Sequence, residues 1–132
     1  MHERRIAIRW RDVDAYGHVN NAVYLTYLEE CRDAWAKEVL GSGFDFVIVR
    51  IEIDYRSELS LEDREVIVRC RGIGVGSSSI RTSEEVTAAD GRPASSSESV
   101  IVQHDADMRA SVPLTDGQLA VLRAAIDADA SG

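Results

Sequence analysis

Residues 22–55 read AVYLTYLEECRDAWAKEVLGSGFDFVIVRIEIDY, and the hydrophobic period changes in the middle of that stretch. In the first half, Tyr24, Leu28, Cys31, Trp35 and Val39 recur at steps of four, three, four and four. This lines one face of a helix over residues 22–40. Glu29, Glu30, Arg32, Asp33, Lys37 and Glu38 lie largely off that stripe. Gly41 and Gly43 follow the last periodic residue, where glycine commonly closes a helix. From residue 46 the period is two. Val47, Val49, Ile51, Ile53 and Tyr55 share one face, while Arg50, Glu52 and Asp54 take the other. A long amphipathic helix running into a half-buried strand predicts a helix packed on a sheet.

Working outward, Ile6, Ile8 and Trp10 at spacing two predict a short strand over residues 4–11. A polar break follows from Asp12 to Asn21 and contains Gly17. Further strands are expected over 65–73, where Val66, Val68 and Cys70 alternate with Ile67, Arg69 and Arg71, and over 79–88 and 95–105. Asp90-Gly91 is a hairpin signal between the last two. Thr115 with Gln118 forms a capping box, and Leu114 with Leu119 has the spacing of a hydrophobic staple, so a short helix closes the chain. The expected order is strand, long helix, about four strands in hairpin order, short helix. This is an α+β architecture in one domain over 1–132, an antiparallel sheet of about five strands wrapped around one long central helix. A single sheet leaves its outer face and edges unsupported, so a homodimer or homotetramer is expected.

Composition narrows the function. Of the 132 residues, 45% are hydrophobic and 29% charged, the balance of a folded core with a solvated surface. The formal net charge of −8 repels a phosphate backbone, so no nucleic-acid partner is expected. No apolar run approaches the roughly 20 residues needed to span a bilayer, and Met1 to Arg5 lacks the apolar stretch of a secretory signal. Cys31 and Cys70 are isolated thiols without metal-ligand spacing, so neither a disulfide framework nor a metal site is expected. The expectation from these features is a cytoplasmic soluble domain.

The stretch that carries chemistry is Asp12-Val13-Asp14-Ala15-Tyr16-Gly17-His18-Val19-Asn20-Asn21-Ala22-Val23-Tyr24, at the N-terminus of the long helix. The first N–H groups of a helix have no internal acceptor, and the helix dipole adds partial positive charge there. Such donors stabilise a carbonyl oxygen that gains negative charge. Asp14, just upstream, is a candidate nucleophile or general base, and His18 and Asn20 add polar groups on the same loop. A carboxylate facing an oxyanion site is the apparatus of acyl transfer or hydrolysis. The bland alternative is structural: an Asp or Asn before a helix is most often a cap, and Gly17 most often marks a turn.

The run Asp12-x-Asp14-x-x-Gly17-His18-Val19-Asn20-Asn21-x-x-Tyr24-Leu25-x-Tyr27-x-Glu29-Glu30-x-Arg32 closely resembles hotdog-fold thioesterases, the relatives of 4-hydroxybenzoyl-CoA thioesterase and of acyl-ACP thioesterases. The resemblance continues through Asp54-Tyr55, Glu58-Leu59 and Ile73-Gly74-x-Gly76-Ser77-Ser78-Ser79, and fades after His104. It implies the hotdog fold and hydrolysis of an acyl-CoA or acyl-carrier-protein thioester, with coenzyme A part of the substrate and no separate cofactor. Asp14 matches the catalytic carboxylate of the hydroxybenzoyl branch, and the backbone N–H near Asn21 matches its polarising donor. His18 and Asn20 match the polar string of the acyl-ACP branch. The two branches divide roles differently, which leaves His18 open between catalysis and structure.

Tyr16, Gly17 and Tyr24 are the expected substrate contacts beside the loop, and Tyr16 bears on acyl-chain length. In hotdog dimers the site lies between subunits. Ser77, Ser78 and Ser79 would fall there, to meet the pantetheine arm or simply to pair in the sheet. Glu29 and Glu30 read better as a solvated helix face. Arg50, Arg56, Arg69 and Arg71 read better as ion-pair members than as phosphate contacts. Two other functions compete. A dehydratase or hydratase is disfavoured, because only Pro93 and Pro113 are present and neither is near His18. A non-catalytic acyl-thioester-binding or protein-interaction module is the alternative, since fold does not dictate function.

Overall fold

The stripe of the long helix becomes the inner face of α1, Asn21–Leu40, in the computed structural model, which describes residues 1–131. Tyr24, Leu28, Cys31 and Trp35 are all buried on it. The Gly41 N–H closes the helix on Lys37 O at 2.9 Å. Beneath α1 lies an antiparallel sheet of β1 (His2–Ala7), β2 (Phe46–Tyr55), β3 (Glu65–Val75), β4 (Ser79–Ala88) and β5 (Pro93–Asp105), in the order β1-β3-β4-β5-β2. A two-residue strand that the sequence reading missed, β6 (Ala110–Ser111), pairs with the end of β5. Helix α2, Asp116–Ser131, packs on β3 and α1 and is longer than the short helix expected. Its capping box forms as read: Thr115 N–H donates to Gln118 Oε1 at 2.9 Å, and Gln118 N–H to Thr115 Oγ1 at 3.1 Å.

Three expectations need correction. Hairpin order holds only for β3-β4-β5, because β2 pairs with β5 at one edge and β1 with β3 at the other. The helix is the reason: its 20 residues span about 30 Å, enough to carry the chain across a five-stranded sheet from edge to edge. Secondly, β1 ends at Ala7 and not at residue 11. Trp10 belongs to a 3-10 turn, Trp10–Asp12, and is 83% exposed. Thirdly, a bulge between Ile48 and Arg50 shifts the phase of β2, so Ile48 pairs with Ile101 while Ile51, Ile53 and Tyr55 pair with the inward serines of β5. The single five-residue face read through Val47 and Val49 therefore breaks at the bulge.

Packing of α1 on the sheet is close enough to dictate a residue. A Cβ on Gly72 of β3 would lie 2.8 Å from Trp35 Cζ2 and 3.1 Å from Ile126 Cγ1, so only glycine lets α1 and α2 approach there. The concave face is apolar on β3, through Val66, Val68 and Cys70, and turns polar toward β5. Buried Glu84 accepts from Ser99 Oγ at 2.5 Å and Thr82 Oγ1 at 3.1 Å, and pairs with the buried Arg32 guanidinium at 3.6 Å. Two inward polar residues on β4 explain why its alternation was weak in the sequence.

Candidate active site

The loop before α1 is a tight hairpin closed at its base by Asp12. Asn20 N–H donates to Asp12 O at 2.8 Å, Val13 and Val19 form an antiparallel bridge, and Asp14 N–H donates to His18 O at 2.8 Å. Gly17 turns the chain at φ +84°, a region side-chain-bearing residues rarely adopt, and its N–H returns to Asp14 O at 3.1 Å. The Asp14 carboxylate organises the tip. Its Oδ1 accepts the N–H of Tyr16 at 2.9 Å and of His18 at 3.3 Å. Among the described residues no hydrogen bond reaches Oδ2, so one oxygen is oriented and the other is free.

Asp12, which the sequence reading gave no role, anchors the loop from below. It is 1% exposed and accepts Arg9 N–H (2.9 Å), the Arg9 guanidinium (3.1 and 3.3 Å) and the Tyr27 hydroxyl (2.9 Å). Burial pushes its carboxyl up. The Arg9 N–H, the Tyr27 hydroxyl and the Arg9 charge outweigh burial and hold it below the ordinary carboxylate value. Arg9 is a local partner, three residues back at the cap of the 3-10 turn, whereas the Tyr27 hydroxyl comes from α1, fifteen residues away, and no spacing rule marks it.

The helix start separates the two asparagines. Asn20 is the N-cap, its Oδ1 accepting Ala22 N–H at 2.9 Å, so the candidate catalytic side chain is engaged in capping. The Asn21 carbonyl accepts the Tyr55 hydroxyl at 2.9 Å. Among the described residues its N–H has no acceptor, which leaves one donor free at the positive end of α1. His18 turns toward the segment after β2, where Nε2 lies 2.9 Å from Glu58 Oε2. Both line an open cleft of about 740 Å³ with Tyr16, Gly17, Ser57 and Arg92. Glu58 was legible only as part of a weak motif, and no spacing rule joins residues 18 and 58. Tertiary register does: Val19 N–H donates to Leu59 O at 2.7 Å.

Tyr16 stands at the loop tip, 86% exposed. Tyr24 corrects an expectation, for it is core and not cleft. It is 3% exposed, its ring meets Tyr55 edge-on at 5.0 Å, and its hydroxyl donates to Ser57 O at 3.2 Å. Burial pushes that hydroxyl up to about 12. Ser77, Ser78 and Ser79 are not brought to Asp14 within one chain. Ser77 O and Ser78 O accept the N–H of Leu114 and Gln103, and Ser79 opens β4 opposite Val102. Ten-residue β4 spans about 30 Å between them and the turn that packs beside the cleft. Arg50, Arg56 and Arg69 pair with Glu52, Asp54 and Glu3, as read, whereas Arg71 forms no ion pair among the described residues. Glu29 and Glu30 are exposed, and Glu29 lines a second groove of about 400 Å³ between α1 and β2, with Arg32, Phe44, Phe46 and Ile48. Among the described residues no His, Cys, Asp and Glu gather in a metal-binding group.

Comparison with known proteins bears on the family and the fold. The family model described as the thioesterase-like superfamily matches residues 8–122. A thioesterase from Thermus thermophilus, solved in complex with coenzyme A and Zn, is 35% identical; the match covers 96% of this chain and 95% of that one at a TM-score of 0.84. A predicted thioesterase from Bacillus stearothermophilus, 24% identical, shares the fold over 95% of this chain and 96% of its own at a TM-score of 0.85. The long-chain acyl-CoA thioesterase FadM of Escherichia coli (strain K12) is 38% identical over 69 residues, 46% of this chain. The match spans about half of FadM's length (51%). With the family model matched over residues 8–122 and the fold shared with the Thermus thioesterase over nearly the whole chain, the chain belongs to the thioesterase-like superfamily and has the hotdog fold.

Proposed function

We propose that the chain is an enzyme that hydrolyses acyl-CoA thioesters, with Asp14 as nucleophile or as general base toward water. The observations that carry this reading are a half-restrained carboxylate on the loop and, seven residues on, a helix-terminal N–H without an acceptor. Asp14 Oδ1 is held by two backbone donors and Oδ2 is free, while the Asn21 N–H stands at the positive end of α1. The Asn21 donor receives the charge that develops on the carbonyl oxygen. Water adds to the carbonyl carbon as Asp14 takes its proton, the C–S bond then breaks, and the departing thiolate receives that proton. Where Asp14 itself adds, water then cleaves the acyl–Asp14 anhydride to the free acid and supplies the thiolate's proton. The Thermus relative with bound coenzyme A supports the CoA substrate. Coenzyme A belongs to the substrate, and the reading assigns every step to residues of this chain. Acyl-carrier-protein thioesters are the less favoured substrates, since a chain of net charge −8 repels an acidic carrier.

Two further features complete the reading. The chain works as a homo-oligomer, supported by the unpaired edge of β2, where Val47, Ile48 and Val49 are 39%, 44% and 57% exposed. In that assembly the Ser77–Ser79 turn reaches an Asp14 loop only in a second copy. The chain resides in the cytoplasm, supported by two buried, unoxidised cysteines, Cys31 and Cys70. No helix among the described residues is long and apolar enough to cross a membrane. Light scattering of the purified chain tests the assembly, and a monomer overturns it.

Thiol release from a panel of acyl-CoAs, run beside Asp14→Asn, tests the activity. Asn keeps the oxygen that accepts the Tyr16 and His18 N–H groups, so the loop folds unchanged. Turnover should fall at least about 100-fold, the scale of an acid–base or nucleophilic group. Near-normal turnover in that variant ends the assignment. No hydrolysis by the wild type across the panel moves the chain to the alternative, a binding module. His18→Ala separates the roles: a large loss makes the imidazole part of the chemistry, and a mild one makes it structural.

A further inference from the structure

The concave face of β2 carries apolar surface that the chain leaves partly uncovered. The bulge between Ile48 and Arg50 turns Phe46, Ile48, Ile51, Ile53 and Tyr55 to one side, where they pair with inward residues of β5. Their neighbours Ser95, Ser97, Ser99 and Ile101 are buried, but none of the β2 residues is; Ile48 is 44% exposed and Tyr55 46%. At one end of this strip the Tyr55 hydroxyl reaches Asn21 O, beside the free helix-terminal N–H. At the other end lies the groove of about 400 Å³ that Arg32, Phe44, Phe46 and Ile48 line, with the two phenylalanine rings stacked at 5.5 Å. The Arg32 side chain is 4% exposed, and its guanidinium is short of acceptors. Nη2 donates to Ser99 Oγ at 3.2 Å and lies 3.6 Å from Glu84 Oε1. Nε is buried without a partner, and Nη1 makes no hydrogen bond among the described residues.

We propose that this strip holds the acyl group of the substrate and that Arg32 reads an oxygen atom near its far end, so that the preferred thioesters carry a neutral hydroxyl or carbonyl at the end of a long straight chain. The inference rests on the reading that the protein hydrolyses acyl-CoA thioesters at Asp14 and Asn21. With the thioester oxygen on the Asn21 N–H, the first carbons lie beside Tyr55, and the path runs past Ile53 and Ile51 to Ile48. From Asn21 to Arg32 the helix rises about 16 Å, which an extended chain of about 13 carbons covers at roughly 1.25 Å per bond. Arg32 sets the chemistry of the far end. Its charge is already matched by Glu84, so it lacks acceptors and not an anion. Glu29, Asp33 and Asp45 line the same groove and repel a terminal carboxylate; of these only Asp33 has a cation near it, Lys37 at 3.9 Å, among the described residues. A plain hydrocarbon end excludes water from the guanidinium and offers it no oxygen, and a site with unpaired donors rejects such an analogue. A hydroxyl or carbonyl oxygen accepts from Arg32 and leaves its pairing with Glu84 intact.

The test keeps Arg32 in place, because its removal strands Glu84. Thiol release is measured from dodecanoyl- and tetradecanoyl-CoA and from their ω-hydroxy and ω-carboxy forms. The ω-hydroxy chain should exceed the plain chain of equal length about tenfold in kcat/KM, the scale of one hydrogen bond from a charged donor. The gain should appear in KM, since the contact is remote from the reacting bond, and the ω-carboxy chain should be the poorest. Calorimetry with the dodecyl-CoA thioether, which cannot be hydrolysed, reads the groove without catalysis; its ω-hydroxy form should bind about tenfold more tightly. Ile48→Trp fills the groove from a half-exposed position and should abolish both preferences, with Ile48→Phe in its place if the larger ring prevents folding. Hydrolysis with no preference for the hydroxylated chain overturns the inference and leaves the activity standing. Tighter binding of the hydroxylated thioether by a protein that hydrolyses nothing supports the groove and removes the activity. Equal binding of the two thioethers overturns the proposal. So does a preference that survives in Ile48→Trp, and if that variant is also monomeric where the wild type is not, the strip is an interface between copies.

Discussion

Replacing Tyr27 by Phe removes one hydroxyl from the cluster under the loop and nothing else. The hydroxyl donates to Asp12 Oδ2 at 2.9 Å, and both residues are 1% exposed. A hydrogen bond to a charged acceptor contributes about 1.5–3 kcal/mol, and at that depth solvent does not replace the lost donor. Asp12 retains its bonds from Arg9, so the expected loss is about 2 kcal/mol, one bond and no more. Asp12→Asn should cost more, about 3 kcal/mol, because either amide orientation sets an NH2 against existing donors. The Arg9 ion pair adds little to that figure, since the Arg9 side chain is 55% exposed. In the double variant the two costs should overlap by at least about 1 kcal/mol, because both remove the same bond. The acid dependence has a definite sign. Asp12 is held below its ordinary value of 3.8, so its contribution is present above that pH and is lost as pH falls through the lower folded value. Urea unfolding at neutral pH and again below the ordinary value measures both effects, and the Asp12→Asn deficit should shrink at acid pH. A Tyr27→Phe variant within about 0.5 kcal/mol of wild type, or strictly additive substitutions, would refute the cluster's role.

Arg32→Met should destabilise the fold by about 3–5 kcal/mol, because it strands the Glu84 carboxylate in the core. Arg32→Met combined with Glu84→Leu should recover most of that loss in thermal denaturation; equal stability of the single and double variants would sink the idea. Gly72→Ala should cost about 1–3 kcal/mol through its clash with Trp35. A second substitution, Trp35→Leu, should remove most of the cost of Gly72→Ala in that background, the 3.1 Å approach to Ile126 Cγ1 accounting for the rest, which chemical denaturation would read directly.

Much of this protein is legible from local pattern. The stripe from Tyr24 to Trp35 specifies α1, the alternation of Val66, Val68 and Cys70 specifies the inner face of β3, and Thr115 with Gln118 specifies the start of α2. Each rests on neighbours within four residues or one strand, so periodicity suffices. The loop of Asp14, Gly17, His18, Asn20 and Asn21 was legible too, because a hairpin at a helix N-terminus is a local object.

What lay beyond reach depends on elements that meet only after folding. The position of β2 beside β5 follows from the path of α1 across the sheet, and the bulge near Val49 follows from that pairing. Asp12 with Tyr27, Glu58 with Arg92, His18 with Glu58, and Arg32 with Glu84 each join residues on different elements, too far apart in the chain for any spacing rule. Sequence period carries the preferences of backbone and apolar burial. The pairing of polar groups across elements is decided by tertiary register, where each buried donor or charge must find its partner.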